Sequence, residues 1–147
     1  MKKINIIFWV TTTLIFLMEG VIPAFTSQTD LAKEGIRHLG YPTYFGGALV
    51  LFKVLGALTL MIPKIPKRIK EWAFAGFAFD FIFAAISHFA ADGFNFQSFF
   101  PLIFLGILAI SYVYYHKRMQ TTSITGSKQK SWQGFKLPSE QQVKLRQ

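Results

Sequence analysis

The chain has 147 residues, room for one domain, and is 52% apolar and 17% aromatic, with 17 Phe and a mean hydropathy of +0.36. Those values fit a small polytopic membrane protein better than a soluble domain, and the absence of cysteine excludes disulfides, thiol redox chemistry and thiolate metal sites. The net charge of +9 does not point to nucleic acid, because most Lys and Arg flank apolar segments or lie in the C-terminal tail, where they read as topogenic charge beside lipid headgroups.

Lys2-Lys3 precedes a long apolar run, residues 4–25. A basic start and an apolar core are also features of a secretory signal peptide. The run is long enough to span, however, Glu19 interrupts its second half, and no clear small-x-small site follows. It therefore reads as a retained first helix, bent near Pro23. Residues 26–44 form a polar connector. Thr29-Asp30 can cap a short interfacial helix that runs to His38, with Arg37-His38 at its end, and Gly40 then terminates it.

The second apolar helix covers residues 43–62 and carries one charge, Lys53. A basic loop, Pro63 to Glu71, leads to the third helix, residues 72–89, which carries Asp80 and His88. Asp92-Gly93 with Asn95 marks a turn, and the fourth helix covers residues 99–115, with Pro101 in its first turn. Tyr112, Tyr114 and Tyr115 then form an aromatic belt before His116-Lys117-Arg118. The expected organisation is a four-helix transmembrane domain over residues 1–119 and a mobile, basic, disordered tail over 120–147. The fold class is all-α: an integral membrane four-helix bundle in up-down-up-down order.

Charge fixes an expected topology. Lys and Arg number two before the first helix, two in the connector, four in the basic loop, none in the Asp92 turn and seven after the fourth helix. The positive-inside rule then places both termini and the basic loop in the cytoplasm, in a multi-pass protein of the bacterial cytoplasmic membrane.

Four polar residues inside the spans are the candidate site: Glu19, Lys53, Asp80 and His88. Lys53 lies ten residues before Pro63 and Asp80 nine after Glu71, so both sit ~15 Å from the same face at the helical rise of roughly 1.5 Å per residue. A cation and an anion at one depth on antiparallel neighbours are an expected pair, since burying either alone costs at least ~2.5–3.5 kcal/mol. Glu19 and His88 count to roughly 22 and 26 Å by the same rise, which predicts a second polar layer above the first. Lys53 is also within reach of Glu19, so its partner is Asp80 or Glu19. Such a ladder suits a proton or cation path, or the polar end of a ligand pocket; equally, a Lys–Asp pair can serve only to fix helix register. On the third helix Ala73, Gly76, Asp80, Ala84 and Ser87 share one stripe, and on the second Gly46, Lys53, Gly56 and Ala57 do, where small residues let helices approach. There is no metal-spaced His pair, glycine-rich phosphate loop or nucleophile elbow, so no catalytic residue and no metal site is assigned. A bis-His haem is conceivable only from His38 with His88, and nothing in the sequence orients that pair.

The ordered pieces LGYPTYF, FKVLGALTLMIP, KRIKEWAFAGFAFDF and ISHFAADG resemble the DoxX-like family of small four-helix bacterial membrane proteins, over roughly residues 8–115. The founding DoxX proteins are associated with quinone-linked respiratory oxidoreductases, as a small subunit. The resemblance implies a four-helix integral membrane protein of undefined biochemistry; with the aromatic interior and the lack of redox residues of its own, the expected role is an accessory protein that binds a small quinone- or lipid-like molecule beside a redox partner. It implies no cofactor of the protein's own beyond such a quinone. The charged ladder supports an alternative, a proton-coupled transporter acting as a homodimer. A lipid-modifying enzyme would need Glu71, Asp92 and His38 to come together, and the sequence shows no such constellation.

Overall fold

A computed structural model describes residues 2–134, with side chains to residue 124; no strand occurs among the described residues. Four helical segments are long and apolar enough to cross a membrane: Lys2–Thr26, Thr43–Met61, Lys67–Asp92 and Phe96–Ile124. With backbone groups bonded within each segment, helices of this composition are the form a lipid environment permits.

The first span is not one regular helix. Helix α1 (Lys2–Ile15) passes into a π-helical turn (Phe16–Val21) and then into α2 (Ile22–Thr26). The expected bend at Pro23 is the cause. Its ring displaces the carbonyl four residues back, that of Glu19, and the chain relaxes by widening the turn, with Ile22 N–H donating to Leu17 O five residues earlier. The connector helix α3 (Asp30–His38) forms as its caps require: the Thr29 hydroxyl accepts from Ala32 N–H at 3.3 Å, and Gly40 leaves the helix at φ +82°. It buries no residue and leans on α4 through Ile36 against Gly46.

Helices α4 (Thr43–Met61) and α5 (Lys67–Asp92) form the hairpin of the sequence reading. Their basic loop is pinned by Lys70, whose buried ammonium donates to Leu60 O at 3.0 Å and so caps the end of α4. Helix α5 begins directly after Pro66 and so is longer than residues 72–89. Helix α6 (Phe96–Gly134) departs further from the expected 99–115. The residues up to Gly134 continue the helix where a disordered tail was expected. Arg118 stacks over the Phe8 and Trp9 rings, and the hydroxyls of Thr121, Thr122 and Ser123 bond back to carbonyls one turn earlier. The rest of the expected tail, 135–147, lies outside the described residues.

Neighbours around the bundle run α6, α5, α4 and the first span, which closes the ring in two parts. Its lower half, α1, packs on α6, with Phe8 against Tyr115 and a fully buried hydrogen bond of 2.8 Å between Thr12 and Ser111. Its upper half, the π turn and α2, packs on α4, where Gly20 meets Ala57 so closely that a Cβ on Gly20 would stand 2.8 Å from the Ala57 Cβ. The core is aromatic: Phe74, Phe77 and Phe81 of α5 are buried, while Phe79 and Phe83 on the opposite face are exposed. Because the first span shifts from α6 to α4 partway along, it leaves a cleft toward α6 at the connector end.

Candidate functional site

Lys53 is the centre of the site. Its ammonium donates to Glu19 Oε2 at 2.7 Å and lies 3.1 Å from Asp80 Oδ2. The sequence left its partner as one or the other; both carboxylates hold it. The three side chains are 19%, 12% and 15% exposed respectively, so the triad is largely withdrawn from solvent. Asp80 Oδ2 is itself buried, with the Lys53 ammonium as its partner. Three helical segments supply the triad. The π turn widened by Pro23 carries Glu19, α4 carries Lys53, and α5 carries Asp80.

The two-layer expectation needs correction. Glu19 does not form an upper layer with His88; it joins the Lys53–Asp80 layer, because the long lysine side chain reaches up to it. His88 instead bonds through Nδ1 to Asp92 Oδ2 at 2.8 Å, one turn along its own helix. Asp92 Oδ1 in turn lies 2.5 Å from Nε2 of His38 on the connector helix. Tyr41 and Ser87 add a hydroxyl pair at 2.7 Å beside this contact. The sequence did not join these groups. The Asp92–His88 spacing of four residues was readable as one helical face, but the closure through His38, 54 residues before Asp92, is tertiary. A carboxylate thus stands between the two histidines once considered for haem. The third histidine, His116, pairs with Glu71 at 3.0 Å at the basic end, so Glu71 and His38 do not meet. Among the described residues no group of three or more His, Asp or Glu is arranged to hold a metal ion.

The His38–Asp92 contact latches the connector helix to the end of α5. The hydrogen bond to Asp92, then its negative charge, raises the His38 pKa above the ordinary 6.5.

All four sequence-predicted residues, Glu19, Lys53, Asp80 and His88, line one open cleft of about 480 Å³. Its other wall is apolar, built from Phe81, Phe100, Phe104 and Met18, with Gln97 and Pro101 of α6 at the rim. Lys53 also borders two smaller clefts. One of about 370 Å³ lies between α4 and α5, and one of about 270 Å³ lies beneath the connector helix. Gly76 faces the former with nothing within 4 Å of a Cβ built there, so this part of the α5 stripe lines a groove instead of admitting a close helix. On α4 the close approach does occur, at Gly56 against the Phe77 ring.

Four apolar spans, a partly buried charge triad and an aromatic cleft define a small multi-pass membrane protein with an internal polar site. The chain belongs to the DoxX-like family, whose sequence profile matches residues 7–111. No curated protein and no solved structure matches it.

Proposed function

We propose that this protein binds a small amphipathic, quinone- or lipid-like molecule in the 480 Å³ cleft, as an accessory protein beside a redox partner in the bacterial cytoplasmic membrane. The carrying observation is the division of the cleft: charged and hydrogen-bonding groups on one wall, aromatic and aliphatic groups on the other, in a volume typical of ligand sites. A polar head would meet Lys53, His88 or Gln97, and an apolar tail would lie along Phe100 and Phe104 toward the lipid. The distribution of Lys and Arg supports cytoplasmic termini and basic loop, with the connector helix on the opposite side. The resemblance to the founding DoxX proteins, which are associated with quinone-linked oxidoreductases, supports the redox setting. Native mass spectrometry of protein gently extracted from its own membranes tests the reading. A retained quinone or lipid, lost when Ala84→Phe fills the cleft, is the expected result; a bare protein sinks it.

A second reading, a proton-coupled carrier working as a homodimer, is favoured by one observation: the triad sets two carboxylates against one ammonium. Here Asp80→Asn abolishes flux in proteoliposomes while protein yield is kept. Loss of abundance without a specific loss of flux would make the residue structural.

A further inference from the structure

The triad and His88, the inner end of the His38–Asp92–His88 chain, open on the same cleft. With all three members ionised, the triad carries one excess negative charge inside the membrane. The other titratable side chain lining the cleft, His88, is already paired with Asp92. Helix α6 brings Gln97 and aromatic groups, and the first span brings Met18 beside Glu19. An uncompensated charge at this depth is costly, and one added proton removes it. Either carboxylate can take that proton while Lys53 keeps the other as its charged partner.

A route to this place exists at the connector end. His88 lines the cleft and is 19% exposed; through Nδ1 it bonds Asp92, and Asp92 bonds Nε2 of His38, whose side chain is 57% exposed. The three groups form one hydrogen-bonded chain from cleft to surface. We propose that the Glu19–Lys53–Asp80 triad takes up one proton, and that His38, Asp92 and His88 are the relay that carries it between the surface and the cleft. This rests on the proton-coupled reading and adds to it a stoichiometry and a path.

The transfer balances at every step. A proton arriving on Nδ1 of His38 lets Nε2 give one to Asp92 Oδ1. The Asp92 carboxyl then turns to present that proton to Nδ1 of His88 in its Nε2–H tautomer, and Nε2 releases one into the cleft. Each group gains one proton and loses one, no redox partner is involved, and ring or carboxyl rotation resets the chain. From His88 to Asp80 is eight residues along α5, roughly 12 Å, too far for a direct bond. Water in the cleft covers that gap: a molecule occupies roughly 30 Å³, so the volume holds several. The charged groups facing the relay are few. On the connector, Glu34 acts on His38 and is itself paired with Arg37 at 3.6 Å. Helix α4 presents Lys53, the first span Glu19, and α6 no titratable side chain at the cleft.

Infrared difference spectroscopy on the full chain in lipid nanodiscs, after pH jumps, reads both halves of the proposal. The wild type is expected to show the C=O stretch of a protonated carboxylic acid, corresponding to one carboxyl per chain. Glu19→Gln and Asp80→Asn each remove it, since either leaves one carboxylate against one ammonium. Both variants keep a partner for Lys53, so one can substitute if the other fails to fold. Asp92→Asn can still hydrogen-bond both histidines but cannot pass a proton. It is expected to keep the band and slow its appearance at least tenfold. A band absent at every pH, or surviving in both triad variants, overturns the proton site. An Asp92→Asn response as fast as wild type overturns the relay, and so does a faster one, which would mean the connector merely covers the cleft. Absence of flux in proteoliposomes with the band intact would end the carrier reading and leave the proton site standing.

Discussion

Lys53 serves two carboxylates with one ammonium, so removing different members of the triad has unequal consequences. Asp80→Asn leaves the Lys53–Glu19 hydrogen bond and a neutral pair; Lys53→Met leaves two partly buried carboxylates facing each other. Stranding buried charge typically costs about 3–5 kcal/mol, so Lys53→Met is expected to lose that much while Asp80→Asn loses less than about 1 kcal/mol. Reversible unfolding in mixed micelles measures both, and equal losses would mean that charge balance is not what holds the site. Thr12→Val is a smaller case. It removes the buried bond to Ser111 between α1 and α6, and interhelical hydrogen bonds in membranes average about 0.6 kcal/mol with a maximum near 1.7. A loss within that range is expected by the same assay. Residue depth, counted along two helices, was enough to pair Lys53 with Asp80 from the sequence. The same count set Glu19 higher, beside His88, and the reach of the lysine side chain, the alternative the sequence left open, is what joins it to Lys53. Thr12 and Ser111 carried no signal at all: each is an unremarkable hydroxyl in an apolar run, and only packing brings them together.

At the level of elements, the caps and prolines of the sequence did most of the work. Thr29 starts the connector helix, Gly40 ends it, and Pro66 begins α5. Pro23 was legible as a bend, but the outcome, a π turn that delivers Glu19 to Lys53, depends on α4 being in place to receive it. Two glycines test this. Gly20→Ala drives a Cβ to 2.8 Å of Ala57 and separates the π turn from α4. Overpacking of this kind costs about 1–3 kcal/mol, and the Glu19–Lys53 bond should weaken with it. Gly76→Ala, with nothing within 4 Å, is expected to be neutral or slightly stabilising in the same unfolding measurement. The connector helix makes a pH prediction. The folded pKa of His38 is raised, so its contribution to docking is complete below the ordinary 6.5 and is lost as pH rises through the higher folded value. Hydrogen exchange of amides 30–38, corrected for intrinsic rates, should show protection at pH 6 falling away on the alkaline side. His38→Ala should abolish that dependence; protection that increases with pH would contradict the latch.

For the whole molecule, hydropathy and charge were sufficient to give four spans and their hairpin order, because short loops force consecutive spans together. What they could not give is how the ring closes. Nothing in a list of apolar runs says that α1 rests on α6 while the π turn and α2 rest on α4, and the cleft exists only because of that change of neighbour. The closure can be tested directly, since the chain has no cysteine of its own to interfere. Thr12 and Ser111 place their oxygens 2.8 Å apart, which brings their Cβ atoms near the span a disulfide bridges, about 3.5–4.5 Å. A Thr12→Cys/Ser111→Cys pair is therefore expected to crosslink within one chain on mild oxidation in the membrane, seen as a faster band on a denaturing gel that reverts with reductant. Thr11→Cys with Ser111→Cys is the control, because the Thr11 hydroxyl bonds back to the Ile7 and Phe8 carbonyls and not toward α6. A crosslink between two chains would mean that α1 closes on a neighbour's α6. The cleft would then belong to the dimer, and the triad's charge would have to be counted across two copies.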